Sequence, residues 1–73
     1  MAVLDEATLL NWFTYHSPTE DDFPKFQAIR EAGLNFARVI VDNTLASADQ
    51  SCAVRHVRDA VMTANAAIAC VGV

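Results

Sequence analysis

The sequence predicts an all-α protein, a short N-terminal helix plus a long antiparallel helical hairpin, in an oligomeric helical assembly. Three observations lead there. Apolar residues recur at helical spacing over residues 24–44 and again over 47–71. Only a few residues with a serine-led cap motif separate the two segments, which forces the helices antiparallel. With 73 residues, the chain buries only about 60% of the surface its unfolded form exposes, so a further source of stability is needed.

The whole chain, 1–73, reads as a single helical-hairpin domain. Within 1–14, Leu9, Leu10, Trp12 and Phe13 are spaced for a short helix with an aromatic face. Residues 15–23 form a loop, because Ser17-Pro18-Thr19-Glu20-Asp21-Asp22-Phe23-Pro24 sets two prolines among polar neighbours. The first hairpin helix, 24–44, has Asp22 or Phe23 near its cap and Pro24 in its first turn, where a missing N–H costs little. Phe26, Ile29, Phe36 and Ile40 share a face with Gly33. A mid-helix glycine costs about 1 kcal/mol relative to alanine, so it is either tolerated or lets another backbone come close.

Ser47-Ala48-Asp49-Gln50 then reads as a capping box, with the Ser47 hydroxyl on the third helical N–H and Gln50 reaching back. In the second helix, 47–71, Val54, Val57, Val61, Ala64, Ile68 and Val71 make a lengthwise seam. Ala53, Ala60 and Ala67 run beside it one heptad apart, a small-residue face on which another subunit can close.

Partner subunits are the expected supplement to this small core. Cys52 and Cys70 fall about 27 Å apart on one helix, far beyond the roughly 7 Å a disulfide spans. Reduced thiols in a cytoplasm follow. Cys52 and His56 share a helical face, a spacing that can bind a metal across a subunit interface, but two ligands are half a site; against the plainer reading of a small apolar residue beside a surface histidine, neither metal nor cofactor is expected. No apolar run suits a membrane. Nine acids against five bases give a net charge of −4, which disfavours DNA. All five bases lie between Lys25 and Arg58, however, and screening over about 8 Å lets a local pair of arginines attract an anion.

No nucleophile, base and orienter occur as a set, so catalysis is not expected. The residues that stand out are aromatic and cationic. Tyr15-His16-Ser17-Pro18 places two flat polar rings at a loop mouth where a nucleobase can stack, against the plainer reading that Tyr15 closes the core with its hydroxyl in water. Arg30 flanks the Ile29 seam and can reach a phosphate or carboxylate bidentately, or else pair with Glu31 or a loop acid. Arg58 and Asn65 are one heptad apart on the last helix. Asn65, among alanines, either fixes helix register or binds a ligand. Arg38 and His56 read as solvated.

The run Lys25-Phe26-Gln27-Ala28-Ile29-Arg30-Glu31-Ala32-Gly33, then Ser47-Ala48-Asp49-Gln50-Ser51, then AVMTANAAIA over residues 60–69, resembles the hairpin domain of phage anti-CBASS cyclic-oligonucleotide sponges. An anti-Thoeris sponge shares that hairpin. The resemblance covers about residues 12–70, and AVMTANAAIA and the Tyr-His-x-Pro motif are its most specific parts. It implies a compact hexamer in the host cytoplasm that binds cyclic dinucleotides between protomers without cleaving them and withholds them from immune effectors. Tyr15 would stack on a base and Arg30 meet a phosphate, with His16 and Pro18 in the same motif. Arg58 and Asn65 are candidates for a second ligand site. Family members can also bind cyclic trinucleotides, many with a basic residue just after ANAAIA. Here that position is Cys70, which leaves trinucleotide binding open. The competing reading is a helical oligomerisation or protein-interaction module without a nucleotide ligand. A third, a nuclease or cyclic-nucleotide hydrolase, lacks visible metal ligands.

Overall fold

A computed structural model describes residues 4–71, among which there are three helices and no strands: α1 (Glu6–Phe13), α2 (Asp22–Asn43) and α3 (Ala48–Ala69). The expected short helix over 1–14 is confined to α1, and residues 1–3 lie outside the described ones. Asp5 caps α1, its carboxylate accepting the Thr8 N–H at 2.8 Å. That bond holds the Asp5 carboxyl below its ordinary value of 3.8. Because the folded-state value is the lower one, the cap is intact above the ordinary value and is lost as pH falls through the depressed one. The Thr8 amide resonance should therefore titrate with a midpoint under 3.8. A midpoint at or above that value would mean the cap does not form.

α2 begins two residues before Pro24, which takes the third helical position, so the loop is shorter than residues 15–23. The start is held by a reciprocal pair: the Thr19 N–H donates to Asp22 Oδ2 and the Asp22 N–H to the Thr19 carbonyl, each at 3.0 Å. At the other end Asn43 and Thr44 side chains donate to the carbonyls of Val39 and Ile40, both at 2.7 Å, adding side-chain bonds to the last turn.

The turn into α3 keeps half of the expected capping box. Ser47 Oγ accepts the Gln50 N–H at 3.1 Å. Gln50 does not reach back to Ser47; its amide donates to the Thr44 carbonyl at 3.2 Å and Thr44 Oγ1 at 3.0 Å. The tight connection brings α2's orphan carbonyls within reach, and the Gln50 –NH2 can donate to them, whereas the Ser47 N–H would need its amide oxygen. Ser47→Ala should cost about 1 kcal/mol of helix stability, read as a lower thermal midpoint. An unchanged midpoint would show the cap to be idle.

The helices meet lengthwise through Phe26, Ile29, Gly33, Ala37 and Ile40 on α2 and Val54, Val57, Val61, Ala64 and Ile68 on α3, all half-buried. Two expected seam residues fall outside it. Phe36 is 59% exposed. At 3.6 residues per turn it lies about 60° to one side of Gly33, whereas Ala37 lies about 40° to the other and takes the seam position. Val71 is 84% exposed, because α3 stops at Ala69 and Cys70 caps it. The Cys70 N–H bonds to the Ala66 carbonyl and the chain turns at Val71 with φ 56°, a left-handed conformation strained for a β-branched residue.

Gly33 lets the helices touch. A Cβ there would lie 2.5 Å from Val61 Cγ2, inside contact distance, so of the two readings of this glycine the close approach is the one adopted.

The chain has little interior. Among the described residues only Cys70 is buried, while Phe13, Tyr15 and Leu45 are each more than four-fifths exposed. A folded chain of this mass ordinarily shows about 4,400 Å²; this one shows 5926 Å². Its radius of gyration is 15.2 Å, against about 11 Å for a compact chain of the same length. No helix of the described residues is long and apolar enough to cross a membrane.

Candidate ligand site

Two regions gather the polar and cationic residues singled out by the sequence. The first lies where α1, the following loop and the end of α3 converge. Asn11, at the end of α1, donates from Nδ2 to the Cys70 carbonyl at 3.2 Å. Its own carbonyl receives His16 Nε2 at 2.6 Å, with the Cys70 thiol 4.0 Å away. A carbonyl can only accept, so Nε2 carries the proton and Nδ1 is the ring's remaining polar atom.

This network fixes the loop. His16 is half-buried and anchored, and Tyr15 beside it is 82% exposed. The ring of Tyr15 therefore closes no core within a protomer. Tyr15, His16, Ser17 and Thr19 line a cavity of about 690 Å³ with Asp22 and Lys25 of α2 and the residues around Ile68. Pro18 is exposed between two lining residues and is not itself part of the lining. The cavity is polar on the loop side and apolar along α3, the mixture that suits a flat ring with a charged attachment.

The second region flanks the seam. Arg30 and Arg58 line one concavity of about 240 Å³, floored by Gly33, Val57 and Val61. Glu31, an expected partner for Arg30, instead accepts from Gln27 Nε2 at 3.0 Å. Two guanidinium side chains around one apolar floor in an acidic chain make a local attraction for an anion. Arg38 is exposed.

Tyr15 and Arg30 line different cavities of the chain, while Arg30 is joined by Arg58. Asn65 is outside the lining of both cavities. It is half-buried, and its Oδ1 is covered yet has no hydrogen-bond partner in the protomer. Leaving such an acceptor unmet costs about 1–3 kcal/mol, which a donor from outside the protomer would recover. The nearness of Arg30 and Arg58 depends on how α2 and α3 are set lengthwise, which neither helix's own periodicity specifies.

On the other side of the seam a groove of about 580 Å³ runs between the helices, walled by Ile29, Phe36, Ile40, Val57 and Val61. Ala53 and Ala60, two of the three heptad-spaced alanines, lie in it; Ala67 lines the loop cavity instead.

The family model described as Acb2/Tad1, hairpin domain, matches residues 5–69. No curated protein and no solved structure matches the chain.

Proposed function

The chain belongs to the Acb2/Tad1 hairpin family of anti-CBASS and anti-Thoeris sponges, and from that membership we propose that it is a phage anti-defence protein that sequesters cyclic dinucleotides without cleaving them. It would act in the host cytoplasm and block activation of CBASS effectors. The observation that carries this reading is the placement of Arg30 and Arg58 around one concavity while Tyr15 stands 82% exposed on an anchored loop. A cyclic dinucleotide has two bases to stack and two phosphates to pair, and these are the two chemistries on offer.

Because Tyr15 and Arg30 line separate cavities in one protomer, the site we propose lies between protomers, with Tyr15 of one and Arg30 of another on the same ligand. His16 acts chiefly by holding the loop, and Pro18 by stiffening it. The surplus surface of roughly 1,500 Å² over an ordinary fold supports the same assembly, for which we propose a hexamer. With Arg58 beside Arg30 at the first site, Asn65 is what is left for a second one, and cyclic trinucleotides are the ligand class to try there.

Calorimetric titration with 3′,5′-cyclic and mixed-linkage dinucleotides tests the proposal, followed by heating and recovery of the ligand. Saturable binding and intact ligand are expected. Failure to bind any of them rejects the sponge reading, and a linear product would make the protein an enzyme. The exposed apolar groove and α1 favour one alternative, a helical module that binds a protein; it predicts the assembly without nucleotide binding.

A further inference from the structure

We propose that Cys52 and His56 form half of a site for a thiophilic divalent cation, zinc above all, and that a second copy of the chain completes it with the same two residues. The proposal rests on the oligomeric part of the reading above and is independent of nucleotide binding.

The geometry comes first. Four residues apart on α3, the two side chains point together, with Cys52 Sγ 3.4 Å from His56 Nε2. Zinc holds sulfur at about 2.3 Å and imidazole nitrogen at about 2.0–2.1 Å. At those bond lengths, donors 3.4 Å apart subtend roughly 103° at the metal, close to the tetrahedral angle of about 109°. The donor atoms already stand at the bite of a tetrahedral ion. Both residues are exposed, and Cys52 is a free thiol. On binding, the thiol proton passes to solvent and the imidazole coordinates as the neutral Nε2 ligand with its proton on Nδ1.

Within one chain the site stays incomplete. Among the described residues, no group of three or more His, Cys, Asp or Glu side chains is placed to hold a metal ion. A twofold contact presents every group twice and yields a Cys2His2 set, a composition that closed structural zinc sites use. His56 also lines the apolar groove beside the seam, with Ala53 and Ala60 as its small residues. A second copy seated on that groove would be drawn in by apolar area, and the alanines let its helix come close. The roughly 1,500 Å² of surplus surface is of the size one protomer gives to an obligate interface.

Cobalt(II) titration of the full chain, reduced and stripped with EDTA, tests the proposal. Expected are tetrahedral d–d bands with a thiolate charge-transfer band, saturating at about one ion per two chains and displaced by zinc. The variant carrying Cys52→Ser and His56→Ala should lose the bands. An octahedral spectrum, one ion per chain, or bands that persist in the variant would each overturn it. Native mass spectrometry of the same sample, metal-free and along the titration, reads the assembly separately. A multimer without cobalt bands overturns the metal site alone, and a monomer at every metal concentration overturns the oligomeric reading with it.

Discussion

Replacing Tyr15 and Arg30 together by alanine is expected to abolish cyclic-dinucleotide binding and leave the mass of the assembly unchanged. Stacking of a base on an aromatic ring is worth about 1–3 kcal/mol. A charge-assisted hydrogen bond contributes about 1.5–3 kcal/mol. A twofold ligand between symmetric copies meets each group twice, so even the low ends combine to about 5 kcal/mol, a loss of several thousandfold. Neither substitution should reach the fold. Tyr15 is 82% exposed, and Arg30 is an exposed residue whose neighbour Glu31 is engaged by Gln27. Calorimetry on the variant and wild type, with native mass on both, checks the two halves of the expectation. Affinity kept within about tenfold would remove these residues from the site, and dissociation of the assembly would make them structural.

The second large effect is expected at Gly33, and its signature is a change of sign. Alanine there gains about 1 kcal/mol in helix propensity, yet its Cβ would sit 2.5 Å from Val61 Cγ2. Valine in a helix has one strongly preferred rotamer, so the methyl cannot swing aside and the helices must part. Overpacking of this kind costs about 1–3 kcal/mol. Gly33→Leu, which adds bulk at the same point, should fall at the upper end, about 3 kcal/mol, and lower the melting temperature by roughly 10–20 °C. Val61→Ala removes the obstructing methyls. In the natural background it should destabilise by lost burial; in the Gly33→Ala background it should stabilise. A thermal double-mutant cycle reads this directly. If Val61→Ala destabilises equally in both backgrounds, the helices do not approach at Gly33.

The architecture was legible because it is written in local chemistry. Ser47 and the three-four spacing of Val54, Val57, Val61 and Ala64 specify a helix start and a buried stripe without reference to anything distant. Where residues act across the chain, local reading fell short. Gln50 chose the carbonyls of the preceding helix over its own cap. Phe36 yielded the seam to Ala37 through a difference in angular position that an apolar face, read coarsely, does not resolve. At the candidate site, the residue types were visible but their division of labour was not. His16 is turned to a backbone carbonyl of Asn11 while Tyr15 faces outward, and no property of a Tyr-His pair says which ring will be held. Asn11 itself gave no signal, since an asparagine at a helix end usually reads as a terminator.

The bond from Asn11 to Cys70 joins residues 59 positions apart, whereas the α2–α3 contacts close through a turn of a few residues. Loop-closure entropy grows with the length of chain enclosed, so the hairpin can zip first and α1 must dock afterwards. The loop that carries Tyr15 is held by that late contact and by little buried area. It is then the last part of the protomer to form and the first to open. In hydrogen exchange the amides around Thr14 to Thr19 should lose protection well before those beside Gly33, and a ligand that needs Tyr15 would slow their exchange most.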